Sequence, residues 1–276
     1  IIYEKSKENF NKNNLSIYFQ DKKFIEKVNI NSEFNIEKFT DDYNGGIKSV
    51  FIYKNIKFIY VTMLKDDCYY VSIINTQNNN EIFKSKCLKE GAINFNGVGS
   101  THIHYQNKIL LSIGAPGWDG MEIANLAQNQ DSFFGKIIEI DKEELDRIIL
   151  NENNKINPKI FSFGHRNPQG LTILENKIFS TEHGPRGGDE LNRIIKGKNY
   201  GWPKVSYGVK YRTDLDKIFY SKSHENDNFE EPLFALVPSV GISSLNICPL
   251  KLREYYKKPC LIALSLYGND LREGKS

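Results

Sequence analysis

Three loops in one short window carry polar side chains that turn chemistry does not require. The stretch FSFGHRNPQG (161–170) ends an apolar run in His165, Arg166, Asn167 and Gln169. Pro168 keeps Asn167 out of the helical region, so these side chains project from a fixed loop. Arg166 stays charged at any working pH, and its planar fork suits a bidentate contact to an anion. The stretch STEHGPRGGDELN (180–192) adds His183, Gly184, Pro185 and Asp189, and KGKNYGWP (196–203) adds Trp202. Gly and Pro can shape any one such loop without a ligand; three so close together point to a site. Upstream, His102 and His104 are spaced to share one face of a strand, and imidazoles titrate near neutrality.

The elements that must position these loops are strands. Residues 48–53 and 56–63 are β-branched and aromatic runs separated by Lys54-Asn55, a tight-turn pair, and 68–74 follows as a third strand. Further strands are expected at 81–83, 101–105, 109–113, 133–140, 160–163, 171–174, 177–181, 190–195, 233–237, 244–247 and 260–264. Only 142–150, opened by Asp141, reads as a helix. THIHYQNKILLS (101–112) and QGLTILENKIFS (169–180) look like copies of one unit, each followed by a Gly/Pro loop and another strand. Repeated meanders of this kind suggest blades of a β-propeller, with a sandwich as the structural competitor.

Composition bounds the rest. The 276 residues are 39% hydrophobic, 26% charged and 12% aromatic, enough apolar area for a folded core. A net charge of +3 with no basic stripe argues against a nucleic-acid partner. No apolar run reaches the roughly 18 to 20 residues of a membrane helix. Cys68, Cys87, Cys248 and Cys260 are too few and scattered for a disulfide scaffold and lack the CxxC spacing of a zinc site. The chain opens Ile1-Ile2-Tyr3 and stops at Ser276, so processing or truncation is expected at its ends.

The segments GHRNPQG (164–170), EHGPRGGDELN (182–192) and GKNYGWP (197–203) together resemble the signature of the soluble glucose/sorbosone (aldose sugar) dehydrogenases. That family depends on pyrroloquinoline quinone (PQQ) and Ca²⁺. The resemblance is close over 160–208, looser over 97–140 and 230–272, and absent from the first 45 residues. It implies an all-β fold, a six-bladed β-propeller of four-stranded antiparallel blades, with 1–276 as a single domain whose last blade is cut short. It also implies oxidation of an aldose-type sugar by hydride transfer to PQQ, an electron acceptor of unknown identity, a periplasmic or secreted location, and a homodimer as an admissible assembly.

Residue by residue, the resemblance places Arg166 and Asn167 at the cofactor, His183 at cofactor or substrate, and Asp189 near the mouth of the site. Gly184 and Pro185 match positions whose backbone carbonyls bind Ca²⁺, a hard cation that takes oxygen ligands. Glu190 to Asn192 are expected to shape the loop, and Trp202 either packs or lines a sugar subsite. The general base is where the chain departs. The family has a His followed by Gly-Gly-Arg, then a strand ending Gly-Asp; this chain reads FNGVGSTHIHY (95–105) and then Gly114-Ala115-Pro116. The base position falls near Gly97 or Val98, so either His102 or His104 substitutes, or both are ordinary sheet residues. Near 263–267 a family Lys is replaced by Tyr267, with Lys275 nearby. These losses motivate a second reading, a non-catalytic propeller that binds a glycan or a protein.

Overall fold

Strand pairing follows the turn chemistry. In this computed structural model the described residues are 14–18, 24–29, 46–65, 68–89, 98–117, 122–210, 220, 223–225 and 228–266. Gly97, Tyr267 and Lys275 lie outside them. The chain divides into two compact units, Ile1–Gly91 with Arg147–Ile156, and Ala92–Asp146 with Asn157–Ser276.

In the first unit, β1 (Asn14–Tyr18) pairs with β2 (Phe24–Asn29). A separate meander runs β3 (Gly46–Tyr53), β4 (Ile56–Lys65), β5 (Cys68–Asn75) and β6 (Asn80–Lys84), with β7 (Leu88–Lys89) on β5. Lys54 and Asn55 turn between β3 and β4 with φ of 46° and 64°, the left-handed pair that a two-residue hairpin needs. Phe51 and Phe58 stack at 5.1 Å in a core that also buries Tyr60, Met63 and Ile73.

The second unit holds the repeat. One sheet has the order β11-β10-β9-β8, from His102–Tyr105 (β8), Lys108–Ile113 (β9), Lys136–Asp141 (β10) and Lys159–Phe163 (β11). The other is β12-β13-β14-β15, from Pro168–Leu174, Lys177–Glu182, Asp189–Ile194 and Phe234–Leu236. Both are four-stranded and antiparallel. Leu110, Ile137 and Phe161 of the first sheet share a core with Leu171, Ile178 and Ile194 of the second, so the two sheets pack face to face. A hairpin of β16 (Ile242–Ile247) and β17 (Leu261–Ser265) lies beyond, with β16 against β12 and β13.

The helix Lys142–Ile149 forms as expected. A helix at Leu250–Tyr256 and a 3-10 turn at Glu122–Ala127 were not anticipated by the period-2 pattern. The scattered cysteines hide two local bridges, Cys68–Cys87 and Cys248–Cys260. Each spans one supersecondary step, since β7 begins just after Cys87 and pairs with β5, and Cys248 and Cys260 flank the β16–β17 connection. They staple single meander steps and do not form a scaffold.

Alternate connections of an antiparallel meander emerge at the same end of the sheet. The loops after β9, β11 and β13 therefore gather at one end, where Ala115 N donates to Arg166 O at 2.7 Å and His165 N donates to Gly135 O at 3.1 Å. Lys136 fixes the first of these loops from below. Its fully buried ammonium donates to the carbonyls of Leu126, Ala127 and Phe134, each at 2.8 Å, and burial pulls its pKa down to about 7.

Candidate active site

The β11–β12 loop carries Arg166 and Asn167 and is held on three sides. Asn167 Oδ1 accepts from Gly99 N at 2.9 Å and from Gln169 Nε2 at 3.0 Å, and Asn167 O accepts from His183 N at 3.1 Å. A Cβ at Gly99 would overlap the Gln169 and Asn167 side-chain ends, so any larger residue there must displace this pair. The backbone at Gly99, just past the Gly97–Val98 positions expected to replace the family base, is thus brought against Asn167.

Arg166 is half-buried. Its Nη1 donates to His183 O at 2.9 Å, and its guanidinium lies 5.2 Å from the Trp202 ring centroid, a cation–π distance. Trp202 arrives through the β14–β15 connection, which doubles back along β11: Tyr200 N donates to Phe163 O and Trp202 N to Gly164 O, both at 2.9 Å. Arg166, His183, Gly184, Pro185 and Trp202 line one cleft, together with Glu182, Glu190 and Ser206.

His183 presents Nε2, buried and without a hydrogen-bond partner. Burial holds the imidazole below its ordinary pKa; the Asp189 carboxylate opposes this and the Arg166 guanidinium adds to it. The loop behind the ring is anchored by Asp189, 2% exposed, whose Oδ1 accepts from Gly184 N at 3.1 Å. Its Oδ2 accepts from Val240 N at 3.1 Å and Ile242 N at 2.9 Å. Gly188, at φ +89°, lets the Tyr207–Gly208 backbone approach where any Cβ would collide.

The sequence pattern named His165 as projecting from its loop, but the ring is fully buried and belongs to a polar chain beneath the cleft that the pattern did not single out. Glu182, 3% exposed, accepts from Arg166 N at 2.9 Å and Asn192 Nδ2 at 2.7 Å and lies 3.3 Å from His165 Nδ1. His165 in turn contacts Ser162 Oγ at 2.8 Å and stacks on Tyr200 at 4.5 Å. Burial alone would raise the Glu182 carboxyl; His165, the Arg166 amide and the Arg166 charge hold it below the usual carboxylate value. Opposite it across β13 and β14 stands Glu190, pushed up to about 8 by burial and then by the charge of Glu182. The signal was present, since Glu182 and Glu190 flank the Gly-rich turn symmetrically and an antiparallel register makes them face each other.

His102 and His104 are placed elsewhere. On β8 they pair with Leu111 and Ile109 of β9, and neither lines the cleft. Ile103 and Tyr105, on the other face of the same strand, are the residues that pack toward the β12–β15 sheet. His102 is mostly buried, and burial followed by the neighbouring His104 lowers it to about 4. The structure brings Arg166, His183, Gly184 and Pro185 together and leaves both histidines of β8 outside the group. Asn167 and Asp189 hold its walls.

A sequence model of the family described as glucose/sorbosone dehydrogenase matches residues 60–273. The chain is similar to the aldose sugar dehydrogenase YliI of Escherichia coli, 37% identical over 124 residues, covering 43% of this chain and 33% of that protein. It is also similar to quinoprotein glucose dehydrogenase B of Acinetobacter calcoaceticus, 42% identical over 79 residues, 27% of this chain and 16% of that protein. Aligned, the chain spans a third or less of the length of these curated relatives. A solved structure of a glucose dehydrogenase superposes with a TM-score of 0.63 at 23% identity, over 92% of this chain and 77% of that one, a likeness of fold.

Proposed function

The chain belongs to the glucose/sorbosone dehydrogenase family, and from that premise we propose that it is a quinoprotein sugar dehydrogenase, oxidising an aldose-type sugar by hydride transfer to PQQ with Ca²⁺. The observation that carries this reading is the single cleft lined by Arg166, His183, Gly184 and Pro185, with His183 Nε2 buried and unpartnered. The donor set fits the group. Bound PQQ supplies an ortho-quinone that accepts a hydride, and its three carboxylates call for cationic and amide donors. Arg166 and His183 would hold it, with Asn167 and Asp189 fixing the two loops that carry them.

Among the described residues no cluster of three or more His, Cys, Asp or Glu could hold a metal. Ca²⁺ would rest on the Gly184 and Pro185 carbonyls and complete its oxygen shell from cofactor and solvent. We read the sheets as blades of a six-bladed propeller formed as one domain by residues 1–276. The two disulfides support a periplasmic or secreted location. Among the described residues no helix is long and apolar enough to cross a membrane. The partners are a sugar and an electron acceptor, and a homodimer is compatible with this reading.

The second reading, a non-catalytic propeller that binds a glycan or a protein, is favoured by the placement of His102 and His104 outside the cleft. One experiment separates the two. Protein mixed with Ca²⁺ is titrated with PQQ by calorimetry, and dye reduction is followed across a panel of aldoses. Saturable binding and turnover are expected, and Arg166→Ala should weaken PQQ binding about 100-fold through loss of charge-assisted bonds. No heat of binding and no turnover with any sugar would leave the second reading standing.

A further inference from the structure

We propose that Lys136 is a positioning residue, setting Arg166 and Trp202 against each other through the Ala127 carbonyl. Its bearing on cofactor binding rests on the dehydrogenase reading above. Lys136 opens β10 and is 0% exposed. The 3-10 turn Glu122–Ala127 ends against its side chain. The last carbonyls of a helical turn lack intrahelical partners, and a cation suits them. Leu126 O, Ala127 O and Phe134 O each accept from Lys136 Nζ at 2.8 Å. An ammonium has three donors and a neutral amine two, so three such bonds call for the charged form. Among the described residues no carboxylate pairs with it, and the carbonyls alone hold the charge.

The support is passed on at Ala127. Its carbonyl accepts a second hydrogen bond, from Gly164 N at 3.0 Å, and Gly164 O accepts from Trp202 N at 2.9 Å. Gly164 also leads the chain into His165 and Arg166. Both members of the Arg166–Trp202 pair, 5.2 Å apart, thus hang from one residue that Ala127 holds. At φ +76° that residue has no room to change, since a Cβ would meet Asn199 Oδ1 and Gly201 N. Gln128, next after Ala127, adds a second route. Its Nε2 donates to Trp202 O at 2.6 Å, and its side-chain amide pairs with that of Asn199 at 2.8 and 3.1 Å. Ala124 and Ala127 pack in one apolar cluster with Trp202 and Tyr220. A shift of the turn therefore loosens Trp202 through its backbone bonds and its packing together.

A guanidinium recognises a carboxylate through its plane, and the Trp202 face helps to fix that plane. Tilting Trp202 weakens anion binding without removing any group that touches the ligand. Lys136 itself does not line the cleft.

Lys136→Ala removes the equivalent of one propylammonium ion, which makes propylammonium the rescue probe. The readout that needs no cofactor is Trp202 fluorescence in a Trp118→Phe background, where Trp202 is the remaining indole. Measurements are made at pH 6, below the Lys136 value of about 7. Lys136→Ala should shift the Trp202 emission to the red and raise its quenching by acrylamide. Calorimetry with Ca²⁺ should show PQQ binding weakened about tenfold. Propylammonium should restore both readouts, and 1-propanol, which fills the space without the charge, should restore neither. Lys136→Gln keeps two donors and should fall between. Gln128→Ala, at a half-exposed position, should loosen Trp202 with Lys136 in place, and it decides the matter if the buried variants do not fold. Wild-type Trp202 emission in folded Lys136→Ala or in Gln128→Ala overturns the positioning role, and so does full rescue by propanol. Wild type that binds no PQQ overturns the dehydrogenase reading, and the fluorescence alone then decides the role of Lys136.

Discussion

Glu182→Ala is expected to destabilise the protein by about 4 kcal/mol, the range for breaking one side of a buried charged network. The substitution removes the acceptor of the Arg166 and Asn192 donors and the partner of His165 in one stroke. Neither His165 nor Asn192 can turn to water, since both are fully buried. Urea melts should show the midpoint falling by about 1.5 M, taking a slope of a few kcal/mol/M. Glu182→Gln keeps the volume but presents an amide to donors, so it should fall between wild type and alanine. A loss below about 1 kcal/mol would mean that water reaches the network.

The two facing carboxylates should act on stability in opposite directions. The folded pKa of Glu182 lies below its ordinary 4.5, so its contribution is present above pH 4.5 and lost as pH falls through the folded value. The folded pKa of Glu190 is raised from 4.5 to about 8. Between those values the folded protein holds a proton that the unfolded chain has released, so stability falls as pH rises through this window. Glu190→Gln should therefore match wild type near pH 4.5 and gain on it progressively toward pH 9 in thermal melts. Parallel pH curves for the two proteins would contradict the raised carboxyl.

The strands and their turns were legible because the signals are local. Lys54-Asn55 and the Glu175-Asn176 turn carry the left-handed backbone that short hairpins need, and both occur where the pattern breaks. The helix Leu250–Tyr256 was not legible, because Leu250, Tyr255 and Tyr256 are exposed and no buried stripe marks it. Arg166 and His183 stood out as polar residues in Gly/Pro loops. Glu190 did not, since an acidic residue just after a Gly-rich turn reads as shaping the loop until the register sets it opposite Glu182. His224 was harder still: its place beneath the cleft depends on the return of the β14–β15 connection along β11, a non-local path. Period-2 spacing did put His102 and His104 on one face, but only the packing of Ile103 and Tyr105 decides which face looks at the neighbouring sheet.

Asp189 joins the stability of the fold to the shape of the site, and Asp189→Ala should cost about 4 kcal/mol in urea melts. Three backbone amides, of Gly184, Val240 and Ile242, lose their acceptor together, and each buried unsatisfied donor carries a penalty of about 1 to 3 kcal/mol. The partial access of Gly184 to solvent keeps the sum below three full penalties. Asp189→Asn retains one carbonyl oxygen but turns an NH₂ group toward remaining donors, so about half the loss is expected. The same change reaches the cleft, because the Asp189 carboxylate ties the turn that carries His183 and Gly184 to the start of β16. PQQ with Ca²⁺ should therefore raise the melting temperature of wild type and raise that of Asp189→Ala much less, and calorimetry at a temperature where the variant is fully folded should show weaker PQQ binding. An Asp189→Ala protein that is destabilised yet binds PQQ with wild-type affinity would confine Asp189 to the scaffold. One that melts with wild type would remove it from both roles.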